Sequence, residues 1–225
     1  MNRPVCERQL GTGLNLQSIK TTLQDILLQF VLVNNDLNGA REAMDEEVLE
    51  NLASGYELVN QLITSKVELF ALGNSAFLLE LNTRVLCGTG NQKRLEYSKH
   101  ISANNNYFYE RTDAGIQDLS EWYAIHRHES VWQRAAGVYI RIVSEPQVFI
   151  EGNDRTGTLV MSYILAKEGQ PPFVLSPDNA REYFHYSALV KNSPRNSLNR
   201  LFRLPRLKAQ IAAFLKRQAN PGYLL

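Results

Sequence analysis

The sequence contains only two cysteines, Cys6 and Cys87, in 225 residues, and no apolar run close to the length of a membrane span. Two cysteines without metal-ligand spacing exclude a disulfide framework and a cysteine-rich zinc site. The apolar run Phe30 to Val33 is far shorter than the about 18 residues that a spanning helix needs, so we expect no transmembrane segment. The first residues lack an apolar stretch followed by small residues, which predicts no secretory signal and a cytoplasmic location.

Acidic residues are also absent after Glu182. Eight of the 24 basic residues follow it, so the first 182 residues carry 16 basic and all 23 acidic residues, a net charge of −7. A basic C-terminal region of this kind favours contact with nucleic acid or with an acidic partner. The alternative is that its basic residues lie against the acidic body of the same molecule.

Helical periodicity, by contrast, runs through most of the chain. Hydrophobic residues make up 44% and charged residues 21% of the sequence, which is typical of a globular protein. Apolar residues recur at spacings of three and four positions, and this pattern predicts a mainly α fold. The predicted helices cover residues 16–33, 46–63, 66–86, 116–126, 130–143, 155–167, 179–189 and 207–218.

Residues 89–115 depart from the helical pattern. Asn104-Asn105-Asn106 is typical of a loop, and the alternation in Tyr107-Phe108-Tyr109 is typical of a strand. The sequence therefore predicts a small β-hairpin in this region.

A second break, from Asn34 to Gly39, is the clearest interruption between predicted helices. It predicts that the chain has two parts. We expect an N-terminal helical arm over residues 1–60 and a core over residues 61–225 that includes the basic C-terminal helices.

The segment most typical of a binding site runs from Glu145 to Thr158. One predicted helix ends before Pro146 and another begins after a short loop, so the first backbone N–H groups of the new helix lack helical partners. These groups and the helix dipole favour a bound anion. Gly152 permits a positive φ, which lets neighbouring amides converge. The sequence therefore predicts a pocket for a phosphate-bearing ligand.

Three side chains strengthen this prediction. Arg155 can bind two phosphate oxygens at once. Glu151 is suited to hold a Mg²⁺ ion that bridges phosphates, and Phe149 would anchor the loop to the core. The alternative is an ordinary turn, in which Arg155 pairs with a carboxylate and Asp154 caps the helix.

The run from Phe149 to Gly157 resembles the signature loop of the Fic (Fido) family, His-Pro-Phe-x-Asp/Glu-Gly-Asn-Gly-Arg-x-x-Arg. The resemblance extends over residues 30–215 and implies a Fic-like helical bundle. It also implies that a small β-hairpin forms the flap, defined as residues 102–114, which contacts a target protein. Flanking segments similar to the family are Leu81 to Gly88, Ala135 to Ile140, Gly169 to Pro172, and Tyr183-Phe184.

The family transfers a phosphate-containing group, most often AMP from ATP, to a hydroxyl side chain of a target protein. The resemblance therefore implies a protein adenylyltransferase fold that binds ATP or a related nucleotide with Mg²⁺. It implies that Glu151 holds the metal and that the loop binds the nucleotide. The nucleotide-binding residues implied in this way are Gly152, Asn153, Asp154, Arg155 and Gly157.

Gln147 occupies the position of the family's catalytic histidine. Glutamine cannot accept a proton near neutral pH, whereas imidazole can. General-base catalysis contributes about 10²- to 10⁴-fold, so we expect transfer to fall by at least that factor. The leading hypothesis is an impaired or inactive Fic protein, a pseudoenzyme. The alternatives are an active transferase whose base is Glu145, His126 or His128, and a protein-interaction module without nucleotide chemistry.

Two further positions of the loop depart from the family. Asp154 replaces its second glycine, and Thr158 replaces its second arginine, which removes a phosphate ligand. Many relatives carry an inhibitory helix whose glutamate pairs with that arginine. Asn34 to Gly39 lies at a similar place, with Asn38 instead of the glutamate, which predicts an inhibitory segment without its contact group; the alternative is a simple turn.

Overall fold

The computed structural model describes residues 13–36, 44–195 and 200–225. Within them β pairing is limited to one isolated bridge between Leu14 and Leu224, so the predicted mainly α fold is confirmed. None of the helices in these ranges is both long and apolar enough to cross a bilayer. The helices are α1 (Leu16–Asp36), α2 (Glu46–Thr64), α3 (Ser75–Cys87), α4 (Asn91–Glu96), α5 (Ser98–Glu110), α6 (Ile116–Ile125), α7 (Val131–Val143), α8 (Asn153–Lys167), α9 (Pro177–Lys191) and α10 (Arg200–Arg217), followed by a 3-10 turn (Pro221–Tyr223).

Local capping explains where several helices begin and end. The carboxylate of Asp45 accepts a hydrogen bond from Val48 N–H at 2.8 Å, so α2 begins immediately after it. At the start of α9, the N–H of Ser176 donates to Asn179 Oδ1 at 2.9 Å. α3 ends at Gly88, whose φ of 66° lies in a region that other residues rarely adopt.

The helix predicted over residues 66–86 is shorter than expected, because residues 66–74 form turns and α3 begins at Ser75. Apolar residues of these turns nevertheless pack into the hydrophobic core. Leu69 is buried, and its N–H donates to the hydroxyl of Tyr163 at 3.1 Å. That hydroxyl in turn donates to the carbonyl of Val67 at 2.5 Å. The core therefore captures these residues without helical backbone.

The predicted β-hairpin is wrong, because residues Ser98–Glu110 form α5. Asn104 and Phe108 lie four positions apart and form the buried face of this helix. Phe108 stacks on Phe149, with ring centroids 5.4 Å apart. The aromatic alternation therefore reflects one buried ring between two outer ones. The flap, residues 102–114, comprises the C-terminal part of α5 and the turn after it.

α8 is the central helix of the molecule. Every residue from 156 to 166 is buried, which is typical of a helix surrounded by protein on all sides. It packs against α7, α2 and α3. Gly157 allows a close approach to α7, because a Cβ atom there would lie 3.0 Å from the ring of Tyr139. The N-terminus of α8 is consequently held between well-packed neighbours.

α1 and α2 share this core. The buried Tyr56 of α2 donates its hydroxyl to the carbonyl of Phe173 at 2.6 Å. At the start of α1, Asn15 N–H donates to the carbonyl of Tyr223 at 2.9 Å. The boundary predicted near residue 60 falls inside α2. The division into an arm (1–60) and a core (61–225) concerns which part folds by itself, and it stays a prediction.

The basic C-terminal region contacts the acidic body of the molecule. Among the described residues, four of the basic residues after Glu182 form ion pairs within the chain, as the intramolecular alternative predicts. Contact of this region with nucleic acid or an acidic partner stays a prediction. The four pairs are Lys191–Asp154, Arg195–Asp118, Lys208–Glu129 and Arg217–Glu182.

Candidate functional site

A cleft of about 450 Å³ opens at the N-terminus of α8, and we call it the first cleft. One end is polar and one end is apolar. Gly157, predicted to bind nucleotide, lies one turn further along α8 against Tyr139 and is not part of the lining. The predicted site residues that line the first cleft are Gln147, Glu151, Gly152, Asn153, Asp154 and Arg155.

The polar end is formed by the first turn of α8. Gly152 has φ 75° and ψ 12°, the left-handed conformation that the sequence predicted, and no side chain caps the helix. The N–H of Thr156 donates to the carbonyl of Gly152 at 2.9 Å. Among the described residues, the N–H groups of residues 153–155 have no hydrogen-bond acceptor. They are available to an anion in the first cleft.

Two buried amides brace the loop from the side of α3 and α5. Asn82 Nδ2 donates to the carbonyl of Glu151 at 2.8 Å and to Thr156 Oγ1 at 3.0 Å. Asn82 Oδ1 accepts from Asn104 Nδ2 at 2.8 Å, and Asn104 Oδ1 accepts from the N–H of Ile150 at 2.9 Å. Buried polar groups with all their partners fix a single conformation. The sequence did not single out either asparagine as a site residue.

Asn153 and Gln147 brace the same loop from within. Asn153 Oδ1 accepts from Phe149 N–H at 2.9 Å, and its Nδ2 donates to Phe149 O at 2.8 Å and to Gln147 Oε1 at 3.1 Å. Gln147 Nε2 donates to the carbonyl of Val143 at 3.1 Å. Phe149 is buried and anchors the loop. The side chain of Asn153 is thus occupied by the loop, and its backbone N–H is the group that faces the first cleft.

Arg155 provides the cation predicted for this site. Its Nη1 donates to the carbonyl of Val85, near the end of α3, at 2.9 Å. The guanidinium is partly exposed, and no carboxylate of the described residues lies within ion-pair distance of it. The alternative in which Arg155 is neutralised by a carboxylate therefore does not apply there. Its other N–H groups can bind an oxyanion.

Asp154 does not cap α8, because its carboxylate is turned toward α7 and α9. It accepts from the hydroxyls of Tyr139 at 3.0 Å and Ser187 at 2.7 Å, and it forms an ion pair with Lys191. Burial, together with the nearby Tyr183 and Asp154, raises the pKa of Tyr139 well above its ordinary value of 10.0, so the phenol remains a donor. Tyr139, Ser187 and Lys191 therefore compensate the negative charge of Asp154, and the N–H groups of the first turn are not used for this.

Lys191 is a residue of the first cleft that sequence reasoning missed. It lies near the end of α9, and its side chain is 40% exposed. Thr158, at the position of the family's second arginine, donates its hydroxyl to the carbonyl of Asp154 at 3.0 Å and is 2.9 Å from the hydroxyl of Tyr183. Thr158 thus contributes no charge. Asp154 was the one hint in the sequence, because a carboxylate beside an anion site needs a cation nearby. It did not indicate which lysine or arginine provides that cation.

The apolar end of the first cleft is formed by α1, α2 and α9. Phe30 of α1 contacts Phe184 of α9 edge to face, with ring centroids 6.2 Å apart. These rings would accommodate a flat apolar group. Residues 37–39 of the predicted inhibitory segment lie outside the described residues, so that segment stays a prediction. The apolar side chains at this end are Phe30, Met44, Val48, Leu52, Leu175 and Phe184.

The acidic group predicted to hold a metal is exposed at the rim. The Glu151 side chain is 58% exposed, and its carboxylate lies 3.8 Å from Nε2 of His100. The described residues contain no group of three histidine, cysteine or acidic side chains able to hold a metal ion. Mg²⁺ is often held by one or two carboxylates and by phosphate oxygens. The site therefore fits a Mg²⁺ ion that arrives with phosphates and does not fit a resident metal centre.

The substitute bases considered from the sequence are not among the residues that line the first cleft. His126 stacks on Trp122 with centroids 4.0 Å apart, and its Nδ1 is 2.7 Å from the carbonyl of Trp122. His128 accepts from Arg127 Nε at 3.3 Å, and Glu145 is exposed. Gln147 is the side chain that the loop presents at the position of the family histidine.

No family model matches the chain, and no curated protein matches it. Among solved structures, it is similar to a Fic domain-containing signaling protein from Bacteroides thetaiotaomicron. The two are 16% identical, the match covers 89% of this chain and 92% of that chain, and the TM-score is 0.46. At this level the likeness assigns neither an activity nor a ligand to this chain.

Proposed function

We propose that this protein is a Fic-type nucleotide-binding protein in which AMP transfer is lost or strongly reduced. The observation that carries the proposal is the open first turn of α8. Gly152 directs three N–H groups without acceptors among the described residues toward the first cleft, beside Arg155 and Lys191. Because Asp154 is turned away, its carboxylate does not compete for these donors. A phosphate chain is the ligand chemistry that this arrangement favours.

The remaining groups of the first cleft fit a nucleotide with Mg²⁺. Arg155 and Lys191 would bind phosphate oxygens, and Lys191 would take the part of the cation that is missing at Thr158. Glu151 would hold a phosphate-bound Mg²⁺, which supplies positive charge when bound. The base would lie against Phe30 and Phe184 at the apolar end.

Transfer of AMP also requires a proton acceptor. The oxygen of a target hydroxyl forms a bond to the α-phosphorus as pyrophosphate leaves, and the hydroxyl proton must go to a base. The amide of Gln147 has no basic nitrogen, and its Oε1 already accepts from Asn153. We therefore expect nucleotide binding without efficient transfer.

Binding is tested by titrating the full chain with ATP and Mg²⁺ in a calorimeter. We expect saturable binding, weakened by Arg155→Ala about 10-fold or more because charged hydrogen bonds are lost. The matched control is Arg206→Ala, which removes the same charge from an exposed position on α10. A flat trace at millimolar ATP would remove the proposal.

Loss of transfer is tested by restoring the base. With a mass-shift assay on candidate target proteins, Gln147→His should raise AMP transfer by about 10²-fold or more. Gln147→Ala should give no gain. If the unmodified chain already matches Gln147→His, the active-transferase alternative with another base replaces our proposal.

A protein-interaction module without nucleotide chemistry is the second candidate. The side chains of Arg203 and Arg206 are exposed on α10, which is the observation in its favour. It predicts that charge reversal at these residues and Arg200 abolishes function, whereas Arg155→Ala does not. Contact with a target protein through the flap, residues 102–114, is compatible with both the nucleotide-binding protein and the interaction module.

A further inference from the structure

A second cleft, of about 400 Å³, lies between α6, α7 and α10. No residue lines both this second cleft and the first cleft. Its volume is within the range of sites for small molecules. It combines a charged floor with an apolar wall, and the proposed nucleotide chemistry uses neither.

The floor contains two arginines that share one carboxylate. Asp118 Oδ1 pairs with Arg141 Nη2, and Asp118 Oδ2 accepts from Arg195 Nη1 at 2.6 Å. The side chains of Asp118, Arg141 and Arg195 are 16%, 17% and 3% exposed. Among the described residues, two guanidiniums therefore share one carboxylate in a poorly solvated place.

Arg141 also has an unused donor. Its Nε is buried and has no hydrogen-bond partner among the described residues. Buried donors of charged groups are rarely left unsatisfied. Burial, and then the charge of Arg141, lower the pKa of Arg195, because the two guanidiniums lie close together in a poorly solvated place. An oxyanion near Arg141 would accept from this donor and would place a negative charge beside the two guanidiniums.

The wall is flat and apolar. The Trp122 ring stacks on His126, and Lys208 Nζ lies 5.6 Å from the Trp122 ring. Lys208 is neutralised by Glu129, with Nζ 2.6 Å from Oε1. Gly137 makes room for the indole, because a Cβ atom there would lie 2.0 Å from the Trp122 ring. Ile125 stands at the rim and is 73% exposed.

We propose that the second cleft binds a small organic anion, a carboxylate or phosphate attached to a flat apolar body. The oxyanion would pair with Arg141 above Asp118, and the flat body would lie along Trp122. This site acts independently of the nucleotide site, so it stands even if the first cleft binds nothing.

Fluorescence of Trp122 gives a local test. The chain has two tryptophans, so Trp132→Phe leaves Trp122 as the single reporter. We would titrate this variant with phenyl phosphate, phenylacetate and neutral benzyl alcohol. A saturable change with either anion and none with the alcohol is expected, and the tighter anion identifies the natural group. No saturable change with both anions, or an equal change with the alcohol, overturns the proposal.

Two exposed positions test the charge without endangering the fold. Ile125→Glu adds a negative charge at the rim and should weaken anion binding about threefold, whereas Ile125→Gln, of the same size, should leave it unchanged. Glu121→Gln removes a rim carboxylate and should strengthen binding by about the same factor. If neither charge change alters the affinity, the anion does not bind in the second cleft. ATP binding in the first cleft should be the same in all three variants.

Discussion

The first cleft and the second cleft present positive charge by different means. In the first cleft, the backbone N–H groups of the first turn of α8 carry it together with Arg155, and Lys191 also pairs with Asp154. In the second cleft, side chains carry it, because the guanidiniums of Arg141 and Arg195 share the carboxylate of Asp118. A backbone site depends on conformation, so it should fail when the braces of its loop are removed. A side-chain site depends on charge balance, so it should fail when one charge changes.

The largest effect is expected from Asp118→Asn, which leaves Arg141 and Arg195 without their carboxylate. Breaking a buried charge arrangement should lower the free energy of unfolding by about 3 kcal/mol, measured by urea denaturation. Glu80→Gln is the matched control, since Glu80 also lies between two arginines but is 30% exposed. Its cost should be about 1 kcal/mol or less. If Asp118→Asn and Glu80→Gln lower the free energy of unfolding equally, burial does not make the Asp118 arrangement more sensitive than that of Glu80.

Next in size is Asn82→Ala, which removes the brace behind the first cleft. Asn82 is fully buried, and its loss leaves the Glu151 carbonyl and Asn104 Nδ2 without these partners. We expect a loss of about 2 kcal/mol in unfolding free energy and a loss of ATP binding. Asn106→Ala, at an exposed position of α5, is the control and should change neither. Unchanged ATP affinity in Asn82→Ala would contradict the dependence on loop conformation.

A smaller effect is expected from Gly152→Ala. The φ of 75° disfavours any side chain, and a Cβ atom would lie 3.1 Å from Asn82 Nδ2. The unfolding free energy should fall by about 1 kcal/mol, and calorimetry should show weaker ATP binding. Gly90→Ala should be close to neutral, since its φ is −69° and a Cβ atom there meets nothing within 4 Å. Anion binding in the second cleft should survive both changes.

The smallest effect concerns pH. Burial raises the pKa of Glu80, but hydrogen bonds from Arg94 and Arg84 outweigh it and hold the pKa below its ordinary value of 4.5. Because the pKa of Glu80 is lower in the folded protein than in the unfolded chain, its carboxylate adds stability above pH 4.5. This contribution disappears as the pH falls through the pKa of the folded protein. The stability difference between the unmodified chain and Glu80→Gln should therefore shrink below pH 4.5. If this stability difference grows as the pH falls, the pKa of Glu80 is raised in the folded protein and the prediction is wrong.

Helices were predictable where the pattern and its end signals are local. Gly88 ends α3 and Gly152 opens α8 because only a few neighbouring residues decide the backbone there. The hairpin prediction failed because Asn104 was interpreted through its local preference for loops. Its amide is instead used by Asn82 and Ile150, far away in sequence, and this tertiary bonding outweighs local propensity.

The candidate site divides in the same way. Phe149 and Arg155 could be identified from one short segment, since both lie at the short loop between two predicted helices. Asn82 reaches the loop from 69 positions away, and Lys191 reaches Asp154 from another helix. No spacing pattern within a single segment indicates such partners. The second cleft is assembled from three helices and was not predictable for the same reason.

The pairing of residues 13–15 with residues 223–225 has a consequence for synthesis on the ribosome. Asn15 N–H donates to the Tyr223 carbonyl at 2.9 Å, Leu225 N–H donates to the Gly13 carbonyl at 3.0 Å, and the Thr22 and Tyr223 hydroxyls are 3.1 Å apart. α1 therefore leaves the exit tunnel before α2 to α10 but gains these partners after all of them. Until residues 223–225 have emerged from the ribosome, the inward face of α1 remains open at this edge and accessible to chaperones.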